Sequence, residues 1–583
     1  MPESSVAAQD WLAADESRIG LGCMRLSTEQ DRDEERALAT VHAALDGGAT
    51  VFDTAHAYAL GEDELGHNER LLARALASHP LGGRARVVTK CGMARPGGAW
   101  RADGRARSIA ADCAKSLEAL SGRPIDLLLL HAPDPRVPFA TSVRALAALV
   151  ERGWVRRIGV SNVNRSQLAE ALELAPLTAI EVAFGAGDDQ ALRGGVVSLA
   201  LERGLWVLAH APFGGPVRAG RLARDPALAQ AAERLGASPA QAVLAWLLAL
   251  HPRVVALPGA RRPQTAHDSP VAARLALDEE TRAVLDERLG SLQPVPRAPA
   301  RADAEVVLIA GLSGSGKSTL AERLAAQGYT RLNRDERGGT LAGIAAALEA
   351  RLAAGATRVV LDNTYLTRAS RQSVLRAAGR HGARVRCLWL ETPLAEAQRN
   401  AIERMLEKHG ALLEPEALSR GKDDPTRLAP RVLWTQARQQ EPPEADEGFD
   451  SIERVAFERR PEAGRDRAGL GVALEALVAV GPPVLDRGEP GARLVFAWLP
   501  GGDAALAAAT RGLPVQTAAC LHPAGPPRCW CRPPLPGLLL AFARREHIDP
   551  ARLVVVGTSD AHRKLASAAG ARFQPARDDA RQS

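Results

Sequence analysis

The sequence predicts an α/β chain in three folded parts. A (β/α)8 barrel of the TIM type is expected over 1–292, a glycine-loop α/β domain over 304–461, and a small α/β domain with a cysteine–histidine cluster over 462–583. A proline-rich linker at 293–303 separates the first two. Three observations predict this: short apolar runs alternate eight times with helix-period segments in the first half, a strand runs into a glycine-rich loop near residue 311, and soft metal ligands crowd between 520 and 531.

The barrel strands are expected at Ile19–Leu21, Val51–Asp53, Val87–Lys90, Asp126–Leu130, Arg157–Val160, Ala179–Val182, Trp206–Ala209 and Val254–Leu257. Between them, segments such as Glu35–Leu45 and Ser108–Leu120 repeat apolar residues at helical spacing. At 583 residues the chain exceeds a single core, and a barrel alone takes about 250 residues. The net charge of +6 is small for this length and gives weak support to a nucleic-acid surface. The opening MPESSVAAQD has no basic and apolar leader pattern, and the longest apolar runs, such as Leu127–Leu130, cannot cross a bilayer, so a cytoplasmic protein with no membrane partner is expected. Seven cysteines, three of them between Cys520 and Cys531, suit a metal in a reducing compartment better than a disulfide framework.

Lysine occurs only at Lys90, Lys115, Lys317, Lys408, Lys422 and Lys564; arginine fills the other basic positions. Two of the six stand where a compact, tunable ammonium does what a guanidinium cannot. Lys90 ends a barrel strand, as do Asp53 and His131, and Tyr58 follows Asp53 in F-D-T-A-H-A-Y. Chemistry in such barrels belongs at the carboxyl ends of the strands.

With G-L-G-C-M-R-L, F-D-T-A-H-A-Y, G-H-N-E-R-L-L-A-R-A-L, V-V-T-K, L-L-L-L-H, I-G-V-S-N and L-P-G-A-R-R-P in order, the first half resembles the aldo-keto reductase family. The resemblance implies a tetrad of Asp53, Tyr58, Lys90 and His131, with Tyr58 the general acid for a small carbonyl substrate reduced by NADPH. It further implies that Ser161 and Asn162 hold the nicotinamide amide, and that Gly259, Arg261 and Arg262 lie near the adenosine 2′-phosphate. Two positions depart from the family: Glu181 stands where a glutamine is common, and His210 where a tyrosine stacks on the nicotinamide. In physical terms, Lys90 is expected to acidify the Tyr58 phenol, Asp53 to anchor Lys90, and His131 to hydrogen-bond the substrate oxygen. No G-x-G-x-x-G follows a strand here, so a Rossmann site is not indicated.

After the linker, the strand V-V-L-I-A runs into Gly311-Leu-Ser-Gly314-Ser-Gly316-Lys317-Ser318-Thr319, and a helix is expected over Leu320–Ala326. That order is the P-loop pattern, in which backbone N–H groups cradle phosphates, Lys317 reaches the β- and γ-phosphates of ATP and Ser318 ligates Mg2+. With L-N-R-D-E-R-G-G, V-V-L-D-N-T, A-Q-R-N-A-I-E-R and E-G-F-D-S-I, residues 304–459 resemble the kinase module of polynucleotide kinases. The resemblance implies that Asp335 is the base for an acceptor hydroxyl, that Asp362 lies near the metal or loop, and that Arg399 and Arg404 belong to a lid over the nucleotide. The acceptor is a nucleic acid 5′-hydroxyl or a small metabolite.

In the tail, Cys520, His522, Cys529 and Cys531 match a closed structural Zn2+ site. With R-P-P-L-P-G-L and V-V-V-G-T-S-D the region resembles haloacid-dehalogenase-like (HAD-like) phosphatases with a zinc loop. It lacks the D-x-D pair before the cluster, so a structural domain without phosphatase activity is expected. Two readings of the whole remain: a carbonyl reductase fused to a kinase, or a cofactor-sensing or docking barrel serving a polynucleotide or metabolite kinase in nucleic-acid repair.

Overall fold

The computed structural model describes residues 11–186, 188–292, 297–419, 424–459, 464–525 and 528–576. The start of the linker at 293–296, the expected boundary at 461/462 and residues 526–527 of the cluster loop lie outside the described residues. The chain divides into two compact units, Met1–Pro294 and Val295–Ser583.

In the first unit eight parallel strands form one sheet in chain order: β1 (Leu21–Gly22), β2 (Val51–Asp53), β3 (Arg86–Cys91), β4 (Leu127–Leu130), β5 (Ile158–Ser161), β6 (Ala179–Ala183), β7 (Trp206–His210) and β8 (Val254–Leu257). Parallel bridges Ile19↔Ala256 and Gly22↔Gly259 close the sheet on itself. All eight expected strands are present, with ends displaced by a residue or two where loop and strand backbones grade into each other. The strands are apolar runs because both faces are buried. One side packs under the helices; the other fills the barrel with Val51, Val88, Leu127, Leu129, Leu208 and Val255. Gly159 admits the neighbouring backbone, since a Cβ there would lie 2.2 Å from the Ala179 carbonyl oxygen. Buried Trp11 meets Trp206, at the amino-terminal start of β7, edge-on at 5.9 Å and stoppers the bottom of the barrel. The mouth at the opposite end is left for the site.

The second unit holds two five-stranded parallel sheets. The first contains β9 (Glu305–Ala310), β10 (Thr330–Asn333), β11 (Arg358–Asp362), β12 (Arg384–Glu391) and β13 (Ser451–Ala456), ordered β10-β11-β9-β12-β13. The second contains β14 (Arg467–Ala473), β15 (Ala492–Trp498), β16 (Gln516–Cys520), β17 (Ile548–Gly557) and β18 (Arg572–Pro575), ordered β16-β15-β14-β17-β18. Each sheet reverses its winding beside its first strand, where open α/β sheets gather ligands. Helix Leu394–His409 joins the two, burying Ala397, Ala401, Ile402 and Met405 in a core shared with Leu474, Leu539 and Leu565. Among the described residues no helix is long and apolar enough to cross a membrane.

Candidate active sites

The barrel mouth collects one polar side chain from each of six successive strand ends. Asp53 closes β2, Lys90 lies near the end of β3, His131 follows β4, Ser161 closes β5, Glu181 lies in β6 and His210 closes β7. Lys90, 1% exposed, is the hub. Its Nζ bonds an Asp53 carboxylate oxygen, donates to the Tyr58 hydroxyl at 3.1 Å and to the Thr54 carbonyl at 3.2 Å, and lies 3.2 Å from Glu181 Oε2. The Tyr58 and His131 rings meet edge-on at 5.8 Å. The four tetrad residues are thus brought together from separate loops and strands.

The electrostatics correct one expectation. Lys90 does pull the Tyr58 pKa down, but burial is the larger effect, and Asp53 and Glu181 add to it, so the phenol stands above its ordinary value. The phenol is therefore held neutral, the form a proton donor must have. Burial also opposes the Lys90 charge, yet Asp53 and Glu181 overcome it and hold the ammonium's pKa well above 10.5. Asp53 itself is raised to about 7 by burial first and then by Glu181, against Lys90. Burial, then Lys90, holds His131 well below 6.5, so its imidazole is neutral.

The expected nicotinamide contacts sit beside this cluster. Asn162, in the left-handed region at φ 56°, donates to the His131 carbonyl at 2.9 Å and to the Ser161 hydroxyl at 3.1 Å. His210 Nε2 is 3.4 Å from Asn162 Oδ1, and burial lowers its pKa to about 4. Glu181 Oε2 has the Lys90 ion pair, whereas His131 Nδ1 is buried without a hydrogen-bond partner, so the pocket retains a polar atom for a ligand. Beyond β8, Gly259 pairs with Gly22, Arg261 reaches Asp31 at 2.7 Å, and exposed Arg262 precedes helix Pro263–Asp268.

In the second unit β9 runs into the glycine loop, and the helix begins at Lys317, three residues earlier than expected, with Gly316 as its left-handed N-cap. A Cβ on Gly314 would lie 2.5 Å from the Ala397 carbonyl oxygen, so this position needs glycine. Lys317 Nζ donates to the carbonyls of Leu312 at 2.7 Å and Gly311 at 3.2 Å, and burial lowers its pKa to about 8. A pocket of about 740 Å3 opens over this loop, bordered by Lys317, Ser318, Thr319, Asp335, Asp362 and Arg404. Asp335 sits on the short helix after β10 with its backbone N–H held by Asn333, and Asp362 is engaged by Arg331 and Asn333. Arg399 corrects the expectation of a two-arginine lid. It is buried on another face of helix Leu394–His409, its Nη1 so close to Gly570 that a Cβ there would lie 2.5 Å away, while Asn400, Glu403, Arg404 and Glu407 face the pocket.

In the tail the ligand atoms of Cys520, His522, Cys529 and Cys531 all lie within 4.8 Å of one another. The Cys520–Cys529 sulfurs are 3.7 Å apart, and His522 Nδ1 is 3.5 Å from Cys520 Sγ and 3.3 Å from Cys531 Sγ. A tetrahedral Zn2+ site has S···S edges of about 3.8 Å and S···N edges of about 3.5 Å, so these residues can hold zinc. His522 Nε2 meets Glu414 at 2.8 Å, and the Trp530 indole donates to the Leu428 carbonyl at 2.7 Å. The cluster is thereby fastened to the segment that walls the loop pocket, which includes Leu418, Leu428 and Ala429.

Sequence reasoning missed Arg95 and Trp100. Trp100 lies 6.2 Å from the Tyr58 ring and 5.8 Å from the His131 ring, and Arg95 stacks on it at 3.8 Å. The only signal was an aromatic in the M-A-R-P-G-G-A-W-R loop directly after the strand of Lys90.

Residues 18–289 match the model of the Aldo/keto reductase family, and residues 306–425 match an AAA domain model. The first stretch is thus similar to aldo/keto reductases and the second to AAA domains. The chain is 26% identical over 304 residues to the aldo-keto reductase str7 of Strobilurus tenacellus, which spans 45% of this chain and 86% of that protein. Among solved structures, an aldo-keto reductase from Klebsiella pneumoniae in complex with NADPH is 26% identical, with TM-score 0.40, covering 48% of this chain and 92% of that one. A glycerol dehydrogenase from Gluconobacter oxydans is 27% identical, with TM-score 0.41, covering 49% and 96% respectively.

Proposed function

We propose that the barrel reduces an aldehyde or ketone with NADPH, and that the second unit is an ATP- and Mg2+-dependent kinase acting on a hydroxyl, with a structural Zn2+ in its tail. The observation that carries the first part is Lys90 placed between the Tyr58 hydroxyl and the Asp53 carboxylate at the barrel mouth. NADPH bound across that mouth would supply the hydride that converts the carbonyl carbon to an alcohol carbon. Tyr58, neutral before reaction, gives its proton to the carbonyl oxygen, and the Lys90 ammonium stabilises the phenolate left behind. The neutral His131 imidazole can donate a hydrogen bond to the same oxygen. Asn162, Ser161 and Glu181 offer the polar contacts for a carboxamide, and the guanidiniums of Arg261 and Arg262 suit a phosphate dianion.

In the kinase reading, Lys317 and the helix N-terminus neutralise the transferring phosphate, Ser318 and Asp362 border the metal, and Asp335 accepts the acceptor's proton. The acceptor is a polynucleotide 5′-hydroxyl or a small metabolite. The tail's sheet order and zinc loop agree with a HAD-like scaffold that has lost its acid pair.

Loss of NADPH absorbance with a panel of carbonyls tests the reductase. Tyr58→Phe should lower turnover by at least about a hundredfold while NADPH binding persists. Retained turnover refutes the role of Tyr58. A sensing barrel is favoured instead by Glu181 and His210 at the nicotinamide contacts, and it requires NADPH binding with no turnover of any carbonyl. Phosphate transfer from ATP to an oligonucleotide and to small alcohols, lost in Lys317→Ala, tests the kinase.

A further inference from the structure

Two short antiparallel strands, Met93–Ala94 and Arg101–Ala102, rise from the end of β3 and frame a loop containing Arg95 and Trp100. Arg95 is 5% exposed. Its Nη2 makes one long donation to the Leu60 carbonyl at 3.4 Å, and its Nε and Nη1 are buried with no acceptor. Asp103, directly after the hairpin, is paired with Arg105, and Asp134 is paired with Arg136. Among the described residues no carboxylate pairs with Arg95.

A buried guanidinium without an anion is costly, so a structure that keeps one is built to receive the anion with a ligand. The wall it belongs to is the catalytic one. Trp100 stacks on Arg95 at 3.8 Å and stands edge-on to both the Tyr58 and His131 rings. Trp100 is 46% exposed and so has room to swing, while Arg95 beneath it is buried. Arg95 offers a single stacked guanidinium with two unpaired N–H-bearing nitrogens, which suits the two oxygens of one carboxylate.

We propose that Arg95 binds the carboxylate of an anionic aldehyde or ketone, with Trp100 as the movable cover between guanidinium and pocket. This rests on the reductase reading, and the carboxylate is the specificity handle for it.

The test uses the full chain with para-carboxybenzaldehyde and its neutral methyl ester. The unaltered protein should prefer the acid in kcat/KM. Arg95→Met should raise KM for the acid about tenfold or more and affect the ester far less, since a charged hydrogen bond is lost only with the acid. Arg95→Lys, which keeps the charge, should recover part of the acid preference. Equal losses for acid and ester, a preference for the ester, or no recovery with lysine would overturn the proposal. Calorimetric titration of benzoate into NADPH-saturated protein reads the same site without turnover. Benzoate binding that weakens in Arg95→Met supports the anion site even where neither aldehyde is reduced, an outcome that sinks only the reductase reading. Benzoate affinity equal in both proteins overturns the anion site.

Discussion

Glu181→Gln should change how the barrel's stability depends on pH. In the native protein Lys90 faces two buried carboxylates, Asp53 and Glu181, and Asp53 is raised from 3.8 to about 7. Between those values the folded barrel retains a proton that the unfolded chain releases, so stability is lost as pH rises toward 7 and stays low above it. At roughly 1.4 kcal/mol per pKa unit the full effect is roughly 4 kcal/mol. Burial is its larger cause and Glu181 the next, which leaves roughly 1–2 kcal/mol to the Glu181 charge. With glutamine at 181 only Asp53 balances Lys90, its pKa falls, and that share of the loss disappears. Calorimetric scans of both proteins at acidic and mildly alkaline pH should therefore show the mutant gaining about 2–4 °C in Tm over the native barrel as pH is raised. The pH profile of carbonyl reduction should move acidward in parallel. A Tm difference independent of pH, or one that closes as pH rises, would refute the picture of two carboxylates competing for one ammonium.

Three further outcomes are expected. Arg371→Met should destabilise the second unit by about 3–5 kcal/mol in urea unfolding, because the fully buried Arg371 pairs with the buried Glu447 at 2.6 Å and leaves it uncompensated. Stripping the proposed zinc with a chelator, then removing the chelator and restoring Mg2+, should weaken the proposed ATP binding, measured by titration calorimetry, since His522 and Trp530 hold Glu414 and Leu428; unchanged affinity would show that the cluster supports only its own sheet. Gly314→Ala should abolish ATP binding while leaving NADPH binding at the barrel intact, because the added methyl meets the Ala397 carbonyl.

The barrel was legible because each buried parallel strand is a short apolar run and the sheet follows chain order, so Asp53, Lys90 and His131 could be placed at strand ends from sequence alone. Tyr58's electrostatics were not legible: the effect of Lys90 depends on Glu181, which arrives from a strand about ninety residues later and offsets its charge. Arg399 and Arg404 illustrate a different failure. Five residues apart on an α-helix, they lie roughly 140° apart and cannot share one face. The set that does line the pocket, Asn400, Glu403, Arg404 and Glu407, has the spacing of a single face. Arg95 and Trp100 escaped because their significance is a missing partner, which no motif records.

The indole of Trp530 reaching the Leu428 carbonyl, 102 residues away in sequence, bears on how this protein can be dissected. A fragment trimmed after the first five-stranded sheet would strip the support from the Leu428 side of its glycine-loop pocket and bare the apolar flank of helix Leu394–His409. Truncation mapping would then credit the carboxyl-terminal segment with whatever the glycine-loop pocket does, so point substitutions are the sounder means of apportioning activity here.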